Sequence, residues 1–279
     1  MTITAAAVKS LRERTGLPMM DCKEALKETG GDEEAAVDFL RTKGLKVQEK
    51  RAGRATTFGR FGLHVGADKP AGAIVELQCE SAPVTSNEEF VQLANDLAQV
   101  LAENSEVTTV DELLDKPSPS KSGQTLREVR DDMFNRIREV FNVGRFERVE
   151  GATGGYSHNS GTIAGVLVAV EGGNDELAKD VSMHIAAMRP NALSPDELDA
   201  EMVERERQVL RDAALAEGKP EQIVDKMVEG RMKNFFAERT LLAQPFVKDD
   251  KKSVGEIADD AGMKITRYIH WEMVPQIEE

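Results

Sequence analysis

The chain has 279 residues, 40% of them apolar and 31% charged, so it can bury a real core over about two domains and is not a disordered chain. Its 36 Lys and Arg against 50 Asp and Glu leave a formal net charge of −14, which argues against nucleic acid or an anionic membrane surface as the main partner. Two Cys far apart exclude a disulfide framework and fit a reducing cytoplasm, Met1-Thr2-Ile3-Thr4 lacks the pattern of a signal peptide, and no apolar run nears the length that spans a bilayer.

Residues 1–45 predict a module of three short helices. Val8 and Leu11 begin an apolar face that closes at Gly16-Leu17-Pro18. Asp21 is a candidate N-cap, and Cys22, Ala25 and Leu26 follow at the i, i+3, i+4 spacing of a buried stripe. Gly30-Gly31 stops that helix, and Asp32 caps the next, which turns Ala36, Phe39 and Leu40 inward and ends at Gly44. A unit this small works by presenting a surface. Residues 46–60 carry Lys46, Lys50, Arg51, Arg54 and Arg60 among Gly and Ala, and read as a basic, solvated linker.

Residues 61–140 predict a first α+β subdomain. Residues 61–65 pair as a hairpin with a strand in which Ala73, Val75, Leu77 and Cys79 alternate with Ile74, Glu76 and Gln78, the pattern of one fully buried face. Ser86-Asn87-Glu88-Glu89 has capping-box spacing and opens a helix with Phe90, Leu93, Ala94, Leu97 and Leu101 inward. Pro117-Ser118-Pro119-Ser120 marks a loop, and Thr125-Leu126-Arg127-Glu128 caps a helix running through Val129, Met133, Ile137 and Val140.

The strand–strand–helix order returns in a second subdomain, residues 141–193 and 243–279. Strands are predicted over 143–149 and 163–170, then a helix capped by Asn174 with Leu177, Val181, His184, Ile185 and Met188 inward, stopped by Pro190. Residues 194–242 interrupt this unit as two long charged helices broken at Gly218-Lys219-Pro220, which must pack as an antiparallel coiled-coil hairpin. Ile265, Arg267, Ile269 and Trp271 then alternate with polar and aromatic neighbours as a final strand. The fold class is α+β, with small antiparallel sheets covered by helices.

Catalytic machinery is not expected. Neither a G-x-x-x-x-G-K-[ST] nor a G-x-G-x-x-G sequence occurs, and Gly151-Ala152-Thr153-Gly154-Gly155 reads as a turn into a strand. The four His are scattered over different elements and no two Cys are close, so a zinc site is not expected. Cys22, Cys79 and His184 fall on inward faces as core residues. His158 falls in Tyr156-Ser157-His158-Asn159-Ser160-Gly161, a polar hairpin tip, where a partner contact rivals plain solvation. Met19-Met20 follows Leu17-Pro18 in a turn. The pair either plugs the gap between the first two helices or offers an adaptable apolar patch to a partner helix, and the residues alone leave both open. What this describes is a multi-domain interaction protein, not an enzyme.

Several stretches resemble the bacterial elongation factor Ts family: Leu11-Arg12-Glu13-Arg14-Thr15-Gly16, Met19-Met20-Asp21-Cys22-Lys23 with Ala25-Leu26, Gly165-Val166-Leu167-Val168-Ala169, Met183-His184-Ile185-Ala186-Ala187, Met227-Val228-Glu229-Gly230-Arg231-Met232-Lys233 and Gln244-Pro245-Phe246-Val247. They span nearly the whole chain in the family's order. The resemblance implies a ubiquitin-associated-like module, a core of two α+β subdomains and a coiled-coil hairpin. It also implies a cytoplasmic function in translation elongation: binding the GTPase elongation factor Tu in its GDP form and promoting GDP release so that GTP can load, with no cofactor required. The alternative is a binding or chaperone-like partner of that GTPase with weak exchange activity.

By position, the resemblance places Arg12, Met19, Met20 and Lys23 against a helix of the partner's nucleotide-binding domain. It places Ile137 and Arg138 at a second contact, where the family has an apolar residue and a glycine, and His158 on the partner's phosphate-binding side. The family's Thr-Asp-Phe-Val segment, which helps dislodge the partner's Mg²⁺, falls on Ser81-Ala82-Pro83-Val84, so Ala82 and Pro83 stand where the family has Asp and Phe. Pro83 fixes its own φ and favours extended backbone at Ala82, which makes the segment a stiff projection unless it only ends the strand. The sequence stops at Glu279, soon after the last predicted strand, where the family continues into a C-terminal helix.

Overall fold

The computed structural model of the chain describes residues 3–218 and 220–273. Its N-terminal helices are α1 (Ala5–Thr15), α2 (Met19–Glu28) and α3 (Glu33–Arg51). Thr4 and Asp32 cap the first and third, each side chain accepting a backbone N–H three positions on. Val8, Leu11, Leu17, Cys22, Ala25, Leu26, Ala36 and Leu40 form a small core of their own.

Two local expectations fail here. Pro18 holds the N-cap position of α2, so Met19 opens the helix instead of lying in a turn, and Asp21 sits in its first turn instead of capping it. Gly44 does not end α3, which continues to Arg51 and takes residues 46–51 of the expected linker into the helix. Gly44 is not among the glycines with positive φ. A Cβ there would stand 1.8 Å from Oδ1 of Asn135 on α6 (Leu126–Ile137), so this glycine serves close helix approach.

The core has four layers. Strands β1 (Phe58–His64), β2 (Ala71–Cys79) and β3 (Phe141–Glu150) form an antiparallel sheet in that order. Strands β4 (Thr153–Ser160), β5 (Thr162–Gly172) and β8 (Met263–Met273) form a second. Helix α4 (Glu88–Glu103), capped by Asn87 and not by the Ser86–Glu89 box that the spacing predicts, covers the outside of the first sheet together with α6 and the short α5 (Val110–Leu114). Helices α7 (Asp175–Met188) and α10 (Val254–Asp260) cover the second. The sheets meet through Phe61, Ile74, Leu167, Ile269 and Met273.

This stacking corrects two readings. Strand β2 is buried on both faces, because Ala73, Val75, Leu77 and Cys79 meet the helices while Ile74 enters the layer between sheets. Glu76, on that second face, is only 4% exposed and is held by Arg145 Nε at 2.6 Å, as a carboxylate at such depth requires. Residues 141–150, assigned by sequence to the second subdomain, instead complete the first sheet, with Phe141 opposite Cys79 and Glu150 opposite Ala71. Periodicity sets which face a strand buries, not which neighbour it joins. The second sheet opens with β4, whose glycines hid it from sequence reading. A Cβ on Gly154 would stand 2.5 Å from Cβ of Ala178, so that glycine admits α7.

Helices α8 (Ala200–Ala216) and α9 (Glu221–Arg239) fold back on each other through Ala214, Val224, Val228, Met232 and Phe235, with ion pairs Arg211–Asp225 and Arg231–Glu217 across the hairpin. A short hairpin, β6 (Pro245–Phe246) with β7 (Asp249–Ser253), leads into α10. The chain end compared with the family's C-terminal helix lies outside the described residues.

Candidate functional site

Four residues singled out in the N-terminal module share one groove. Arg12 from α1 and Met19, Met20 and Lys23 from α2 line it together with Ile3 and Val8. Met19 is 53% exposed and Met20 70%, which rules out the reading in which the pair plugs the space between helices. Leu17, Cys22 and Leu26 fill that space instead. Arg12 and Lys23 are also exposed, and among the described residues neither has a carboxylate partner. The result is an apolar patch flanked by two free cations, suited to an amphipathic, acidic partner surface.

Ile137 and Arg138 end α6 on the side of the core that faces this module. Ile137 is half-buried against the first core cluster. Arg138 takes the left-handed conformation (φ 67°) as the helix C-cap. Its guanidinium donates to Asp21 Oδ2 at 2.6 Å, so the arginine expected at the partner contact is engaged inside the molecule.

Ser81-Ala82-Pro83-Val84 leaves the end of β2. Ser81 is extended and Ala82–Ser86 is a single 3-10 turn with Pro83 near its start, so Ala82 is the first residue of a turn rather than the extended residue expected before proline. Ala82 and Pro83 are exposed, whereas Val84 is buried in the core and anchors the turn. Glu139 accepts both the Ser81 N–H (3.0 Å) and the Ser81 Oγ–H (2.5 Å), and Thr85 Oγ donates to the Ala82 carbonyl at 2.7 Å. The turn is a stiff projection with no acid or aromatic side chain of its own.

His158 lies in β4, paired with Ala164, rather than at the hairpin tip itself, and is half-buried. Its Nδ1 is 3.0 Å from the Tyr156 hydroxyl, which fixes the ring from the same face of the strand. The tip of this hairpin is brought beside the 3-10 turn, since Asn159, Gly161, Ala82 and Thr85 line one groove with Phe58 and Met273. Sequence reading missed two residues here. Phe58, 38% exposed in that groove, lay just outside the predicted strand, and Glu139, which grips Ser81, fell inside a helix predicted to run through Val140, whereas α6 ends at Ile137. A large aromatic beside Gly59 in an otherwise polar stretch was the available signal for the first.

Among the described residues no group of three His, Cys, Asp or Glu is placed to hold a metal ion, and no helix is long and apolar enough to cross a membrane. Cys22 and Cys79 are fully buried. Burial pushes the Cys79 thiol up to about 12, so no thiolate nucleophile is available there.

Residues 83–274 match the family model described as Elongation factor TS. The chain is 44% identical to elongation factor Ts of Methylococcus capsulatus over 282 residues, covering 100% of this chain and 94% of the relative. It is 41% identical to that of Thioalkalivibrio sulfidiphilus with the same coverage, and 44% identical to that of Clostridium perfringens, covering 99% of this chain and 95% of the relative. With a match of this extent running through the groove-bearing module, the 3-10 turn and the β4–β5 hairpin, the chain belongs to the elongation factor Ts family of translation elongation factors.

Proposed function

We propose that the protein binds elongation factor Tu in its GDP form in the cytoplasm and promotes GDP release by disturbing the Mg²⁺ and phosphate site of that GTPase, so that GTP can load. The observation that carries this reading is the exposed Met19–Met20 pair flanked by the cations Arg12 and Lys23, a docking surface that no element covers among the described residues. Exchange by such a protein is linkage: it binds the nucleotide-free GTPase more tightly than the GDP complex, so each ligand weakens the other. No bond is made or broken by this chain, and its residues act by position.

In this scheme the N-terminal patch anchors on a partner helix and the Ser81–Val84 turn presses on the segment holding Mg²⁺. The backbone of the turn is already fixed by Pro83, Val84 and Glu139, so little ordering entropy is lost on contact. His158, oriented by Tyr156, meets the phosphate side from the neighbouring hairpin. Release of a fluorescent GDP analogue from the cognate GTPase tests the proposal, with acceleration expected. A release rate unchanged at saturating protein would favour the second reading, a binding or chaperone-like partner with weak exchange activity. The absence of an acid and an aromatic ring at Ala82-Pro83 is what supports that alternative.

A further inference from the structure

Three consecutive residues after α6 hold three separate elements. Arg138 Nη2 donates to Asp21 on α2 at 2.6 Å, and its carbonyl accepts from Arg51 Nη1 at the end of α3 at 2.5 Å. Glu139 accepts both donors of Ser81, and the Val140 N–H donates to Glu80 Oε1 at 2.8 Å. Glu80 is in turn paired with Arg54 at 2.9 Å. Contacts such as Gln48 to Asp131 at 3.1 Å tie α3 to the core. Helix α2, which carries the Met pair, is held to α3 by Lys43, which pairs with Asp21 at 3.4 Å and Glu24 at 2.8 Å. Among the described residues Arg138–Asp21 is the only hydrogen bond or ion pair between α2 and the core.

The backbone at Arg138 sharpens the point. A φ of 67° is the left-handed conformation in which glycine is favoured and a Cβ is strained. An arginine there accepts strain that glycine would avoid, and what it offers in return is a guanidinium on Asp21. We propose that Arg138 is a positioning residue, which clasps the N-terminal module so that the Met19–Met20 patch and the Ser81–Val84 turn meet one partner in a single preset geometry. This rests on the reading that both surfaces contact the same GTPase. Without the clasp, the second surface must find its site from a looser tether, at a lower effective concentration.

The test uses the full chain carrying spin labels at Lys27→Cys and Ser86→Cys, both exposed positions, while Cys22 and Cys79 are too buried to label. Arg138→Asn keeps a residue that tolerates the left-handed conformation but cannot reach Asp21. We expect it to broaden the distance distribution between the labels and to weaken binding to the GTPase about tenfold. Arg138→Lys should restore both. The loss should vanish in a Met19→Ala, Met20→Ala background, a readout that a merely structural role would not produce. Unchanged distances in Arg138→Asn would overturn the clasp, whether or not the protein exchanges nucleotide. Broadened distances with unchanged affinity, or an equal loss without the Met pair, would overturn its role in binding. Failure of the wild-type chain to bind the GTPase would overturn the proposed function, and the distances would still decide the clasp.

Discussion

The Oδ1 of Asn135 occupies the space that a Cβ on Gly44 would need, 1.8 Å from its ideal position. Asn135 is only 6% exposed, so its side chain has no room to swing aside where α3 packs against α6. Gly44→Ala is therefore expected to destabilise the protein. Overpacking costs about 1–3 kcal/mol, which outweighs the gain of about 1 kcal/mol in helix propensity. Urea unfolding should show the loss, and adding Asn135→Ala should recover much of it. Strict additivity of the two substitutions would contradict the steric account.

Met20 is exposed enough that its truncation removes little from the folded chain. Met20→Ala should leave stability within about 0.5 kcal/mol of wild type, and it should weaken binding to the GTPase about tenfold or more, since burying such a side chain is worth roughly 1.5–3 kcal/mol. Leu26, fully buried in the same module, is the opposite case. Leu26→Ala should cost about 2–5 kcal/mol of stability. Calorimetric titration and thermal melts on the two variants separate binding from packing, and unchanged affinity in Met20→Ala would remove the patch from the interface.

The stiffness of the 3-10 turn makes a separate prediction. Pro83 is exposed near the start of the turn, so Pro83→Gly alters chiefly the freedom of the backbone. GDP release is expected to slow several-fold in Pro83→Gly and again in His158→Ala. A rate unmoved by Pro83→Gly but lost in His158→Ala would show that the β4 hairpin, and not this turn, acts on the partner's metal site.

Protonation of His184 should destabilise the fold from within the second subdomain. The ring is fully buried, its Nδ1 accepts the Val247 N–H at 3.3 Å, and its Nε2 lies 2.9 Å from Gln244 Oε1, so the hydrogen-bond network assigns the neutral tautomer with Nε2–H donating. Burial pushes its pKa below the usual 6.5, against the opposing hydrogen bond to Gln244. The unfolded chain thus binds the proton first. Stability is complete above about pH 6.5 and falls as pH drops from there toward the native pKa. Burial shifts His64 and His270 the same way, adding to the slope. Urea midpoints should decline from about pH 7.5 to about pH 5.5, and the His184 ring resonance should not titrate with a midpoint at or above 6.5.

Local chemistry made much of this protein legible in its sequence. Asp32, Thr125 and Asn174 open helices where their side chains accept backbone N–H groups three positions on, and the apolar spacing after each fixes the buried face. The Met19–Met20 pair was visible as apolar residues in a segment expected to be polar and His158 by its place in a polar hairpin, whereas Pro83 stood out only against the family's pattern. Tertiary structure decided what depends on a distant neighbour. Gly44 reads as a stop and is a contact, because its meaning lies in Asn135, which is remote in sequence. Residues 141–150 alternate like any strand, and only the edge of β2 left unpaired by β1 chose their sheet. Glu76 looks solvent-facing until a second sheet covers it and Arg145 becomes its partner. Arg138 falls by resemblance at a partner contact, and only Asp21, remote in sequence and brought to it by folding, makes it an internal tie. Caps and periodicity act within a few residues and are written in order along the chain, whereas close approach, strand choice and buried ion pairs are settled by segments that meet only once it has folded.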